Sequence, residues 1–178
     1  TTRRAGRQTR FGGFPFVRRF GALLLAGLAL AAVAPRAAAQ DHEREARLQW
    51  DPDLVNNSIK TWNNYTQAQK QAIGEEGNQV YSDLVDALEA GTPPQSAEVQ
   101  AVLMRWHQHI RYFYEPTLEI MRGLGHGYNS HPDFIANFQK LHAGLPEYLE
   151  AAITHYVDDL ETAEIARMLS EDSNEQRH

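Results

Sequence analysis

From Val55 onward, apolar residues recur at steps of three, four and seven, the spacing that lines one face of an α-helix. A short first helix is predicted over 57–63, carrying Ile59 and Trp62; at that length it is marginal alone. The second runs over 66–90, with Thr66 as its cap, Ile73, Val80, Leu84, Val85 and Leu88 on its stripe, and Tyr81 beside them. Gly74 and Gly77 weaken its first half by about 1 kcal/mol each, and Gly91-Thr92-Pro93-Pro94 stops it. The third starts after Ser96 and buries Val99, Leu103, Trp106, Ile110 and Phe113. Pro116 removes an amide donor, so this helix kinks or restarts there. It continues over 117–124 with Leu118 and Met121, until Gly123-Leu124-Gly125-His126-Gly127 ends it. A fourth helix begins near His131-Pro132-Asp133, where proline suits the first helical position, carries Phe134, Phe138 and Leu141, and ends at Gly144. The fifth runs from Pro146 to about Leu160 with Leu149, Ile153, Tyr156 and Val157 inward, and has room for an extension over 161–169. No strand alternation and no repeat interrupts this pattern. The expected fold is all-α, a compact globin-like stack of about five helices.

The first forty residues are a different object. They hold seven arginines and no acid, whereas 41–178 hold ten basic residues and all 23 acids, a net −13. Residues 1–19 are basic, 20–33 are apolar, and Pro35-Arg36-Ala37-Ala38-Ala39 supplies a break and small residues. That is the layout of a secretory signal peptide, with cleavage expected after Ala39. An apolar run of about 14 residues is shorter than the roughly 20 that span a bilayer, so no stable membrane insertion is expected after cleavage. Arg18-Arg19-Phe20 is a partial twin-arginine match that does not select an export route. The expected division is a leader over 1–39, a linker over 40–56, a helical domain over 57–165 and a polar tail over 166–178. Localisation would be periplasmic or secreted if the leader acts as a signal, and cytoplasmic otherwise.

Charge and composition remove several classes of function. A −13 domain repels phosphate backbones and has no basic stripe, so no nucleic-acid partner is expected. The chain has no cysteine, which excludes disulfides, thiolate metal sites and thiol nucleophiles. His107 and His109 point about 200° apart on a helix and cannot share an ion. No Glu is followed three residues on by His, so the di-iron bundle pattern is missing. No Gly-x-Ser-x-Gly elbow or His-Glu-x-x-His occurs. Neither a cofactor, a metal nor an enzymatic activity is expected. The glycine run 123–127 follows a helix and has the wrong spacing for a dinucleotide loop.

The ordered set Trp106-His107-Gln108-His109-Ile110-Arg111-Tyr112-Phe113-Tyr114, Gly123-Leu124-Gly125-His126-Gly127-Tyr128, His131-Pro132-Asp133-Phe134, Gly144-Leu145 and Ala151-Ala152-Ile153 resembles the TipAS antibiotic-recognition domain. Upstream, Trp62-Asn63-Asn64-Tyr65-Thr66, Glu75-Glu76 and Gly91 fit more loosely, and the resemblance covers about 57–158. It implies a compact, globin-like helical domain that holds bulky, mostly apolar antibiotics such as thiopeptides in a cleft between helices. Members often follow a DNA-binding helix-turn-helix domain and act as drug-sensing regulators, while others stand alone and sequester the drug. Residues 1–40 are not expected to form such a DNA-binding domain. Without cysteine, covalent capture of dehydroalanine-containing peptides cannot operate.

The candidate ligand-binding residues are Trp106, His107, Tyr114, Tyr128, Phe134 and Tyr148, joined by Trp62 and Tyr81. Aromatic faces bury large areas while Tyr and Trp keep a polar tip, which suits a cleft for a large amphipathic guest. The same residues equally suit a plain core. His107 is the candidate hydrogen-bond partner for a ligand amide. The segment 62–81 is rich in Asn and Gln and interrupted by glycine, so it reads as a lid of low local stability. The expected function is non-catalytic sequestration of an antibiotic-like small molecule. The alternatives are a protein–protein interaction module, marked by an exposed apolar patch, and a tetrapyrrole or haem carrier, marked by a visible absorption spectrum. The sequence does not fix the oligomeric state.

Overall fold

The computed structural model describes residues 52–175, without the side chains of Pro52, Leu54, Val55, Asn174 and Glu175. The leader over 1–39 and the linker as far as residue 51 lie outside the described residues. Among these, all regular structure is helical, in six segments. They are α1 (Pro52–Asn64), α2 (Gln67–Glu89), α3 (Ala97–Ile110), α4 (Leu118–Ser130), α5 (Pro132–Phe138) and α6 (Leu145–Glu175). None of them is long and apolar enough to cross a membrane.

Helix starts are written locally. Thr66 closes a capping box on α2: its side chain accepts from the Gln69 N–H at 3.3 Å, and Gln69 Oε1 accepts from the Thr66 N–H at 2.8 Å. Ser96 caps α3 through the Val99 N–H, and Thr117 caps α4 through the Ile120 N–H. The expected third helix is thus two. The α-helix ends at Ile110, and a new start at Thr117 follows Pro116, which supplies no amide hydrogen. This raises the count from the expected five to six.

The glycine run 123–127 does not end a helix. α4 passes through it to Ser130. The reason is tertiary: a Cβ on Gly125 would stand 2.9 Å from Ile153 Cγ2, so glycine is what lets α4 lie close against α6. Close packing there offsets the roughly 1 kcal/mol that glycine costs a helix interior. α6 also outruns the expected end near Leu160 and continues to Glu175, with every residue from Thr162 to Ser173 exposed.

α6 is the hub, packed against α2, α3, α4 and α5. The main core gathers Val80, Leu84, Val99, Leu103, Trp106, Ile110, Met121, Tyr128, Phe138, Leu149, Ile153 and Val157, among others. α1 contributes none of its described side chains to it. It attaches through a separate small cluster of Ile73 and Phe113, surrounded by Ile59, Trp62, Tyr65, Tyr112 and Tyr114. Tyr114 packs against both clusters.

Candidate ligand-recognition site

The main core holds a knot of rings with polar tips turned inward. Trp106 and Tyr128 meet edge-on at 6.5 Å and Tyr128 and Phe138 at 5.0 Å, while Tyr128 and Phe134, and Tyr81 and Phe138, are tilted pairs at 5.4 Å. Trp106 is 0% exposed and Tyr128 1%. The Trp106 indole N–H and the Tyr128 hydroxyl are buried without a hydrogen bond of standard geometry, and both face the Tyr81 hydroxyl. Burial pushes the Tyr81 phenol up to about 12, against a smaller opposing pull from Tyr128 and Trp106. It pushes Tyr128 well up too, and Tyr114 likewise, in each case reinforced by Tyr81. All three phenols therefore stay neutral and keep a proton to donate. Buried polar atoms with weak partners cost free energy unless something completes them.

The second cluster is a clasp. The Trp62 ring stacks on Phe113 at 5.4 Å and 29°, and meets Tyr65 edge-on at 6.1 Å. The Tyr65 hydroxyl donates to the Tyr112 carbonyl at 2.9 Å, and the Tyr112 hydroxyl donates to Glu76 Oε2 at 2.9 Å. Beneath them His109 is only 4% exposed, edge-on to both Tyr112 and Phe113 at 5.8 Å. Its Nδ1 lies 3.9 Å from Glu76 Oε1, beyond hydrogen-bond reach. Burial holds the His109 pKa below the ordinary histidine value, opposed by the Glu76 carboxylate. The imidazole fits only because residue 77 is glycine: a Cβ there would stand 2.9 Å from its Cε1 and Nε2.

Of the residues singled out from sequence, Trp106, Tyr81, Tyr128 and Tyr148 share the main cluster, with Phe134 and Tyr114 packed against it. Trp62 lies in the clasp. His107 stands apart, with Nδ1 3.1 Å from the Tyr156 hydroxyl and its pKa lowered by burial and then by Arg111. The Tyr148 hydroxyl is committed to the Thr92 carbonyl in the α2–α3 turn, at 2.8 Å. Sequence reasoning missed Phe138 as a partner of the ring knot, and missed His109, Glu76, Tyr65 and Tyr112 as the clasp. One signal was present: His109 lies three residues after Trp106 and four before Phe113, so it shares their helical face.

Helices gathered on an aromatic centre with polar tips inside, beside a separately clasped α1, define an all-helical domain. Residues 42–156 match the TipAS antibiotic-recognition domain, and the chain belongs to that family. It is 34% identical over 97 residues to the HTH-type transcriptional regulator SkgA of Caulobacter vibrioides, covering 53% of this chain and 37% of that protein. It is 28% identical over 123 residues to the HTH-type transcriptional activator mta of Bacillus subtilis, covering 68% of this chain and 47% of that protein. The chain thus spans less than half the length of these relatives. No solved structure is a significant match.

Proposed function

We propose that the domain captures a bulky, mostly apolar small molecule of the antibiotic class, without catalysis, by opening the α1 clasp and offering the aromatic faces behind it. The observation that carries this reading is the division of the rings into two clusters joined through Tyr114, with the Trp106 and Tyr128 tips weakly bonded inside. On this reading, moving α1 lifts Ile59 and Trp62 off the small cluster and uncovers Phe113 and Tyr114. A guest with amide or hydroxyl groups that passes Tyr114 into the main core would strengthen the weak bonding of the Trp106 and Tyr128 tips, which favours binding by about 0.5–1.5 kcal/mol for each bond made. Family membership supports the ligand class, and the signal-like leader supports capture outside the cytoplasm. On this reading the protein lowers free drug concentration by mass action.

The test is a titration with a panel of neutral thiopeptides, read by tryptophan fluorescence and thermal unfolding. A ligand at 100 times its Kd should add about 2.7 kcal/mol to stability. Tyr128→Phe and Trp106→Phe should each weaken binding more than they destabilise the fold. A panel that neither quenches fluorescence nor raises Tm overturns the reading.

A further inference from the structure

The clasp carries a chemistry that an apolar guest alone does not use. Lys70, in the first turn of α2, places its ammonium 5.5 Å from the centroid of the Trp62 ring, within cation–π range. Tyr65 stands edge-on to Trp62 on one side and to Tyr112 on the other, at 6.1 and 6.5 Å. Glu76, partly exposed, closes the group by accepting the Tyr112 hydroxyl. Trp62, Tyr65 and Tyr112 are each half-buried, so solvent reaches rings that are already fixed in place. Electron-rich ring faces, a nearby carboxylate and a resident cation are the parts from which a site for an alkylammonium group is made. The surrounding domain adds a net −13 over 41–178, which concentrates cations at its surface.

We propose that this aromatic clasp is a binding site for the cationic end of an alkyl- or arylammonium compound, and that Lys70 is its built-in competitor. The inference extends the capture reading above by naming a ligand chemistry, but it concerns a different part of the molecule from the Trp106–Tyr128 knot. When an external ammonium takes the Trp62 face, Lys70 moves out to solvent. The ligand's apolar part then lies towards Phe113 and Tyr114, the side chains that connect the clasp to the main core.

The probes are decyltrimethylammonium and decyldimethylamine oxide, used below their micelle-forming concentrations at pH 7.5. They have the same chain and nearly the same head, but only the first carries a net charge. Binding is read from the indole N–H resonances of the whole protein, with the Trp62 signal assigned by substitution. The ammonium should bind about three- to thirtyfold more tightly than the amine oxide and should shift the Trp62 signal. Lys70→Met should tighten ammonium binding about threefold or more, because it removes the competitor. Glu76→Gln should weaken it, and Trp62→Leu should abolish the preference. Equal affinity for the two probes, or a Lys70→Met variant that binds the ammonium no better, overturns the proposal. Lys70→Met and Glu76→Gln sit at the rim, so they decide the matter even if Trp62→Leu frees α1. Neutral thiopeptides that bind without any ammonium preference would sink this inference and leave the capture reading standing. An ammonium preference with no binder in the neutral panel would do the reverse.

Discussion

A methyl group added at Gly77 would stand 2.9 Å from two atoms of the His109 ring. In a free helix Gly→Ala gains about 1 kcal/mol. Here the overpacked imidazole must shift within a buried cluster, which costs about 1–3 kcal/mol. Gly77→Ala should therefore leave stability unchanged or reduced in urea unfolding; a gain near the free-helix value would mean that His109 is not held there. His109 also sets a pH dependence. Its folded pKa lies below 6.5, so above that pH the group is neutral in both states and contributes nothing. As pH falls below 6.5 the unfolded chain takes up the proton first, and stability is lost down to the folded pKa. His107 is shifted in the same direction but only half-buried, so it adds less. Urea midpoints at pH 7.5 and 5.5 should differ more for the native chain than for His109→Gln. Equal differences would show that another group governs the acid limb.

At the scale of helices, the seam between α4 and α6 separates charge from packing. Arg122 bonds Asp158 at 2.8 Å and Glu161 at 2.9 Å, and His126 and Asn129 share Glu150. The Arg122 pairs are open to solvent on one side, so Arg122→Ala should cost under about 1 kcal/mol although it removes two ion pairs. Gly125→Ala puts a methyl 2.9 Å from Ile153 Cγ2 and should cost about 1–3 kcal/mol. Chemical unfolding of the two variants checks the order, and the opposite order would mean that the seam is held by charge. The same contrast explains what could be read in advance. Thr66, Ser96 and Pro132 mark helix starts because capping and proline chemistry are local, so those boundaries were legible. Gly125 was misread as a stop because its reason, Ile153, is 28 residues away. Helical spacing put Trp106 on an inward face, Tyr81 beside one and Trp62 in the short first helix. It could not say that Trp62 joins Phe113 while Tyr81 and Trp106 join the main core, because spacing fixes a face and not the neighbour opposite it. Tyr148 shows the same limit, since its partner is a carbonyl in a distant turn.

The molecule as a whole is built in two unequal parts. Four helices converge on α6 around the main core, whereas the described contacts of α1 run through Ile59 and Trp62 onto the small Ile73–Phe113 cluster, with the Tyr65 hydroxyl bond just beyond its end. Burial of roughly 25 cal/mol per Å² on so few side chains gives α1 much less to lose on opening than global unfolding involves. Native-state hydrogen exchange should therefore show α1 amides exchanging through a local opening, at a free energy well below that of buried stretches of α3 and α6. Trp62→Ala should speed exchange in α1 while leaving Leu103, Leu149 and Ile153 almost as protected as before. A captured guest that sits behind the clasp must raise α1 protection more than core protection, because closure over the guest is coupled to its binding. If α1 and α6 instead exchange with one common free energy, the clasp is part of the cooperative core, and a route to the rings through α1 would require unfolding the domain.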